Sequence, residues 1–359
     1  MPKQLHISGG ALARPAAARV IFCDGGVDDT YREGVDLELS HWIPNRTPAA
    51  FKADTSTEIC VRFVQAGNHE DYDLVVNNHV DVDGVLSTFV LIHPEPALRH
   101  RATLIQAAQM GDFGDWGEAA AQRLFQGLIC LIDDLRRRGT ASHEIYLRCF
   151  ARTHEVLAGR QFAECEAGLQ ALNSSVELID TGAIAREPVS GHFTHYRVPR
   201  RLADGNIERA LYVPPFNEPL SAKALLHQQA RARLDGDGVH LVSVETAAGW
   251  YYDLWYPGYT WADTVTRWRP PGVRSTASSN VHELEHAMLG AAVQSLNDKS
   301  TGRGRWSLAR KLSPFATLPG RNFPVVLGFM EDDRAIPSAQ RPDDVLGVLA
   351  PVFRDRVMD

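Results

Sequence analysis

Residues 75–87 read VVNNHVDVDGVLS and hold three side chains able to do chemistry, spaced two apart: His79, Asp81 and Asp83. On an extended segment, side chains two apart point to the same side. These three can therefore converge at the end of the strand that Val75 and Val76 open. Gly84 permits a tight turn, and the apolar run after it, with Ser87 inside, suits a buried helix. One imidazole and two carboxylates form a ligand set for a hard or borderline divalent ion such as Mn2+ or Mg2+. The carboxyl end of a strand in an α/β sheet is where such sites sit. A plain polar turn can also read DVDG. An EF-hand loop does not fit, because it needs Asp at its first position and Glu at its twelfth, where this chain has His79 and Val90.

Further candidates lie on both sides of this stretch. Asp24 closes the short apolar run RVIFCD, His41 sits in LELSHWIPN, and Asp112 lies in GDF, with Asp115 as the fallback. Taken singly, Asp24 and Asp112 read as turn residues and His41 as a loop histidine beside Trp42. Together they supply what two-metal phosphoesterase chemistry needs. Carboxylates hold two cations about 3.5–4 Å apart, often with one bridging them, and imidazoles complete the shells.

These residues resemble the DHH phosphoesterase family, of the DHH/RecJ-like superfamily. The family's first motif is a strand followed by an HxDxDG-like run with Ser shortly after, matched by His79, Asp81, Asp83, Gly84 and Ser87. Its lone strand-end Asp is matched by Asp24 and its last Asp by Asp112. Its Asp-His-His tripeptide is replaced by Ser40-His41-Trp42, with Asn45 and then Thr55-Ser56-Thr57-Glu58 following. The motif order differs too, since Asp24, the SHW segment and the STE helix precede HVDVDG. A circular permutation accounts for that order, and permutation is tolerated where termini lie close together on the surface.

The resemblance covers roughly residues 19–115. It implies a parallel-sheet α/β domain with helices on both faces and catalytic roles for His79, Asp81 and Asp83. It also implies two Mn2+ (or Mg2+) ions. One would sit on His79, Asp81 and Asp24, the other on Asp83, His41, Asp112 and the shared Asp24. A water activated between them would attack a phosphodiester or phosphoanhydride of a small nucleotide or short oligonucleotide. The family associates its second tripeptide His with the substrate phosphate, and Trp42 alters that contact.

Two other readings stay open on the same residues. One is a haloacid-dehalogenase-type phosphatase, with Asp81 as nucleophile and Asp332 or Asp333 holding Mg2+. The other is a non-catalytic nucleotide-binding protein, suggested by the altered tripeptide. Residues 282–286 read HELEH, the HExxH spacing of zinc peptidases, which puts His282 and His286 one helical turn apart with Glu283 as base. No third-ligand motif follows, and Glu331 is the distant candidate. These histidines also suit a substrate phosphate. Arg303 and Arg305, in the Gly-rich STGRGRW, suit an anionic substrate at the start of a helical pattern opened by Ser307. The aromatic run from Trp250 to Trp261 suits a core or a base-stacking surface.

The positioning elements follow from patterning. A strand ends at Asp24, residues 25–54 read as loop, and the Thr55–Glu58 capping box opens a helix. A strand at 72–77, a helix at 85–92, and helices at 101–110, 117–138 and 143–171 come next. This alternation predicts an α/β domain over 1–185. A polar stretch, 186–206, reads as a linker. A second, smaller α+β domain over 207–359 takes strands at 209–213, 239–245, 250–256 and 324–330, and helices at 220–233, 280–296 and 343–355.

A net charge of −7 argues against broad coating of DNA, and no stable duplex DNA binding is expected. Residues 186–321 carry 17 Lys/Arg against 12 Asp/Glu, while the remainder carries 20 against 32. An acidic metal-collecting half beside a basic half suits an anionic phosphorylated substrate. The five cysteines show no CxxC pair, which fits buried thiols in a reducing compartment. The amino terminus lacks a signal-like apolar core, and no stretch is long enough to span a bilayer. The expectation is a cytoplasmic enzyme without a membrane partner, able to form a homodimer.

Overall fold

The computed structural model describes residues 3–10, 12–67, 69–275, 282–284, 286–314 and 318–354. The chain is mixed α/β and divides into two units. The first is Met1–Leu169 with two later returns of the chain, Asn217–Pro219 and Ala262–Arg267; the second is the rest. The second unit is of similar size rather than smaller.

The first unit carries strands β1 (Gln4–Ile7), β2 (Val20–Cys23), β3 (Leu37–Leu39) and β4 (Leu74–Asn77). Among the described residues they form one sheet in the order β1-β4-β2-β3, with every pair parallel. The sequences VIFC and LVVN are buried at every position, because an interior parallel strand needs apolar side chains on both faces. Val20, Phe22, Leu74 and Val76 pack together on one of those faces.

Helix α1 (Ser56–Gln65) lies between β3 and β4 in the chain, α2 (Val82–Ile92), α3 (Pro94–Arg99), α4 (Arg101–Asp112), α5 (Ala119–Arg137) and α6 (Ser142–Leu157) follow β4, and the boundary between the units falls within α7 (Ala163–Asp180). Helix α2 is buried from Val82 to Leu91, as an all-round apolar helix must be. Leu86, Phe89 and Leu91 each contribute about 1.5–3 kcal/mol by leaving water. The N-cap half of the expected capping box forms, with the Glu58 N–H donating to Thr55 Oγ1 at 3.2 Å, while the Glu58 carboxylate pairs with Arg62.

Three local differences bear on the site. Strand β4 ends at Asn77 and α2 starts at Val82, before the expected 85. His79, Asp81 and Asp83 therefore do not alternate on an extended segment. Asp81 instead caps α2, its Oδ1 accepting the Gly84 N–H at 2.7 Å, a role that favours Asp at this position. The expected loop 25–54 contains β3, hidden in the sequence because it is three residues long and buries Glu38. That carboxylate accepts the Arg46 N–H at 2.8 Å. The single helix expected over 143–171 breaks into α6 and α7, with Gly159 at φ 91 closing the first, the left-handed conformation in which helices end.

The second unit holds β5 (Ala185–Ser190), β6 (Phe193–Val198), β7 (Val239–Thr246), β8 (Gly249–Trp255), β9 (Val273–Ser275), β10 (His282–Leu284), β11 (Arg305–Leu308), β12 (Lys311–Leu312), β13 (Val325–Glu331) and β14 (Arg334–Ala335). Its helices are α8 (Arg200–Ala203), α9 (Ile207–Ala210), α10 (Gln228–Asp235), α11 (Ala287–Asp298) and α12 (Pro342–Leu349). Among the described residues, a mixed sheet runs β11-β13-β8-β7-β6-β5 with β14 on β13, and a small sheet runs β12-β10-β9.

The expected linker 186–206 is folded here as β5, β6 and α8. Thr194 and His195 masked β6 in the sequence, yet both are buried, and His195 Nε2 meets Ser243 Oγ at 2.7 Å. The strand expected at 209–213 is α9 at its start, and the helix expected over 220–233 shrinks to α10. Ser307 lies in β11, not at a helix start.

Candidate metal centre

The carboxyl ends of β2, β3 and β4 deliver the chemistry. Asp24 follows β2, His41 and Trp42 follow β3, and His79, Asp81 and Asp83 follow β4. Asp112 comes from the last turn of α4. Asp24, His41, Asp83 and Asp112 are each at most 2% exposed and Asp81 is 4% exposed, so these charges sit away from bulk water.

Two groups form around Asp24. In one, His79 Nε2 lies 2.9 Å from Asp81 Oδ2 and 3.1 Å from Asp24 Oδ2. In the other, His41 Nε2 lies 3.6 Å from Asp24 Oδ1, 3.5 Å from Asp83 Oδ2 and 3.3 Å from Asp112 Oδ2. Asp24 thus offers one oxygen to each group. Asp24 and Gly25 both take positive φ, 50 and 102. A non-glycine residue held there costs of order 1–3 kcal/mol, a strain found at functional sites.

Both imidazoles are turned the same way. The Asp54 carbonyl can only accept, so His41 Nδ1–H donates to it at 2.8 Å. Asn78 donates its amide to the Gly26 carbonyl, which leaves Asn78 Oδ1 to accept from His79 Nδ1–H at 2.8 Å. Each ring therefore presents Nε2 to the carboxylates, the arrangement that fixes the tautomer of a metal-ligating histidine. The loop carrying His79 is tied down from behind: Tyr146 Oη donates to its carbonyl at 2.8 Å, and Arg136 donates to the carbonyl of Val80.

The carboxylates are held as firmly. Asp83 accepts the N–H groups of Ser56 and Thr57, both at 2.8 Å, at the start of α1, where a helix dipole favours negative charge. Asp112 Oδ1 accepts from Asn217 Nδ2 at 3.2 Å. Asp24 Oδ2 and Asp112 Oδ2 are buried and take no well-directed hydrogen bond among the described residues. Gly84 leaves room: a Cβ there would come within 2.9 Å of Tyr146 Oη and 3.0 Å of Asn77 Nδ2 and Asp24 Oδ2.

The protonation balance shows how crowded this charge is. Burial pushes Asp83 well up, and Asp24 and Asp112 push it further. Burial and then Asp81 raise Asp112 to about 6. Burial also acts to raise Asp24, but the neighbouring His79 and His41 outweigh it and hold it low. For His41, burial acts downward, yet Asp112, Asp83 and Asp24 lift it to about 10. His79 is raised well above its usual value by Asp81 and Asp24 against the same desolvation. An excess of carboxylates in a low-dielectric site is offset by a cation.

These buried Asp and His groups could hold a metal ion; Asp24–His79–Asp81 and Asp24–His41–Asp83 each place three ligand atoms within 4.8 Å of one another. Oxygen and imidazole donors about 3 Å apart are what ligands about 2.1 Å from one hard ion keep. Tight packing, inward Nε2 atoms and carboxylate oxygens without donors fit such an ion.

All six residues expected as ligands, Asp24, His41, His79, Asp81, Asp83 and Asp112, come together. Asp115 does not join them; it accepts from Arg267 at 2.6 Å. His282 and His286 are not one turn apart on a helix, because 282–284 is strand and α11 begins at Ala287. His286 Nδ1 caps that helix by accepting the Leu289 N–H at 3.1 Å, so the helical HExxH spacing does not form among the described residues. Glu285, inside the HELEH motif, lies outside the described residues. Arg303 and Arg305 are exposed in the second unit, and Asp332 and Asp333 are exposed in the β13–β14 turn. Among the described residues, neither metal-capable group includes His286, Arg303, Arg305, Asp332 or Asp333.

Several supporting residues carry no local signal in the sequence. Asn217 and the 262–267 return both belong to the first unit. The Asp263 N–H donates to the His41 carbonyl at 2.8 Å, and Arg267 Nε pairs with Asp54 Oδ2 at 3.0 Å, bracing the residue that anchors His41. The ADTST stretch, expected as a helix cap and as part of the third family motif, also supplies the Ser56 and Thr57 amides to Asp83.

Among the described residues, no helix is long and apolar enough to cross a membrane. No curated protein and no solved structure matches the chain. A family model does match, over residues 13–289, a span that includes every cluster residue and both returns of the chain. The chain therefore belongs to the family described as "Family of unknown function (DUF6687)".

Proposed function

We propose that this chain is a metal-dependent phosphoesterase related to the DHH family, acting with two Mn2+ or Mg2+ ions on a phosphodiester or phosphoanhydride of a small nucleotide or short oligonucleotide. The observation that carries the reading is the division of Asp24. Oδ2 lies 3.1 Å from His79 Nε2 and Oδ1 lies 3.6 Å from His41 Nε2, and Asp24 belongs to both the His79–Asp81 and the His41–Asp83 groups. A carboxylate shared between two His/Asp groups is the ligand arrangement of a two-ion site.

One ion would be held by Asp24, His79 and Asp81, the other by Asp24, His41, Asp83 and Asp112. Bound there, the pair supplies Lewis acidity toward phosphoryl oxygens and lowers the pKa of an attacking water. The chain's part is positional. Asp54 and Asn78 fix the two rings, α1 fixes Asp83, Asn217 fixes Asp112, and Gly84 keeps space beside Asp24. The His79 side chain is 29% exposed while those of His41 and Asp83 are sealed at 0%. Substrate would therefore approach from the His79 side.

The test is hydrolysis of bis-p-nitrophenyl phosphate by purified protein, metal-stripped and then given Mn2+. Turnover is expected only with the metal, and Asp24→Ala and Asp81→Ala are expected to abolish it. Turnover that persists in Asp81→Ala, or a wild-type chain inert under every divalent ion tried, would overturn the reading.

A further inference from the structure

We infer that Trp42 is a positioning residue that clamps the shared carboxylate and orients it for metal; the inference rests on the phosphoesterase reading for its consequence but not for its geometry. Its indole Nε1–H donates to Asp24 Oδ1 at 2.9 Å. The Ser56 hydroxyl donates to the same oxygen at 2.9 Å. Two donors on Oδ1 fix the plane of the carboxylate and leave Oδ2 turned toward His79, 3.1 Å from its Nε2. The Trp42 ring also meets the His79 ring edge to face, centroids 5.3 Å apart at 69°, so one side chain bears on a ligand of each kind.

Trp42 is itself fixed. Its N–H donates to Ser40 Oγ at 3.1 Å, and Asn45 Nδ2 donates to its carbonyl at 2.8 Å. Ser40 Oγ also accepts the Gly25 N–H at 3.1 Å. The loop after β2, which carries Asp24, is thereby stitched to the loop after β3, which carries Trp42. At 7% exposure the indole is nearly closed off from solvent, where a hydrogen bond to a charged group is strongest. Indole has a donor and no acceptor, so its hydrogen bond holds Asp24 Oδ1 as an acceptor.

The experiment pairs Mn2+ titration, read by electron paramagnetic resonance of free Mn2+, with 15N NMR of the indole N–H groups. Trp42→Phe keeps the aromatic packing and removes the donor. It is expected to weaken Mn2+ binding about tenfold to hundredfold, the usual loss when a partner behind a ligand is removed, while still melting cooperatively in EDTA at a lowered temperature. In the metal-free wild type, the resonance missing from Trp42→Phe is expected to exchange slowly with solvent and to move in Asp24→Asn. Unchanged Mn2+ affinity in Trp42→Phe, or an indole N–H indifferent to Asp24→Asn, overturns the clamp. A wild-type chain that binds Mn2+ but turns over no phosphodiester overturns the phosphoesterase reading and leaves the clamp standing. A wild-type chain that binds no Mn2+ overturns both.

Discussion

Asp112→Asn should change stability in opposite directions with and without metal. The Asp112 carboxyl is raised in the folded chain from 3.8 to about 6, by burial first and then by Asp81. Below 3.8 it is protonated in both folded and unfolded chains and the shift costs nothing. Between 3.8 and about 6 the folded chain binds more protons than the unfolded one, so stability falls as pH rises. Above about 6 the full cost is present, about 3 kcal/mol at 1.36 kcal/mol per pH unit. Asparagine keeps the shape and removes the charge. Its carbonyl can still accept from Asn217, which lies 3.2 Å from Oδ1. In EDTA at pH 8 the variant should therefore gain up to about 3 kcal/mol, a gain that fades as pH falls from 6 toward 4. In Mn2+ the sign reverses, because the wild type gains about 4.1 kcal/mol from an ion present at a thousand times its Kd, more than the variant gains in EDTA, and the variant loses a ligand. Urea denaturation with EDTA and with Mn2+, at pH 5 and pH 8, measures all four values. A change of the same sign in both media at pH 8 would refute the electrostatic account of the cluster.

Two further outcomes follow from the packing. Gly84→Ala puts a methyl 2.9–3.0 Å from Tyr146 Oη, Asn77 Nδ2 and Asp24 Oδ2, so it should cost about 1–3 kcal/mol of stability in EDTA and also weaken Mn2+ binding; unaltered melting and affinity would show that the space beside Asp24 is not needed. His227 in the second unit is lowered from 6.5 to about 4 by burial, so it supports the fold fully above about 6.5 and loses that support as pH falls toward 4, by about 3 kcal/mol. Melting followed from pH 7 to pH 4 should be shallower in His227→Gln than in wild type, and equal slopes would remove His227 as a cause.

The candidate ligand residues were legible in the sequence because metal chemistry restricts residue type. Few side chains besides Asp, Glu, His and Cys hold a hard or borderline ion, and HVDVDG packs three of them beside an apolar strand. The capping box at Thr55 and the buried strands VIFC and LVVN were legible for a similar reason: each is a local pattern with a local cause. The reason given for convergence was not correct. His79, Asp81 and Asp83 meet Asp24 through a helix cap and a first helical turn, not through alternation on a strand, since Asp81 takes the Gly84 N–H and so starts α2 early. The HELEH spacing misled because three residues of it pair as a strand, and pairing partners distant in sequence override local helical spacing.

What the sequence determined by itself is the inventory: which groups can bind a cation, and that strands, helices and turns alternate around them. Only tertiary structure decided how Asp24 divides its two oxygens, that Trp42 and Ser56 hold one of them, and that Asn217, Asp263 and Arg267 return from far along the chain to brace the ligands. The physical reason is that residue type and short-range spacing are written locally, whereas hydrogen bonds between residues separated by more than a hundred positions leave no periodic trace. They come into being only when the packed core brings the loops at the sheet's carboxyl edge within about 3 Å of one another.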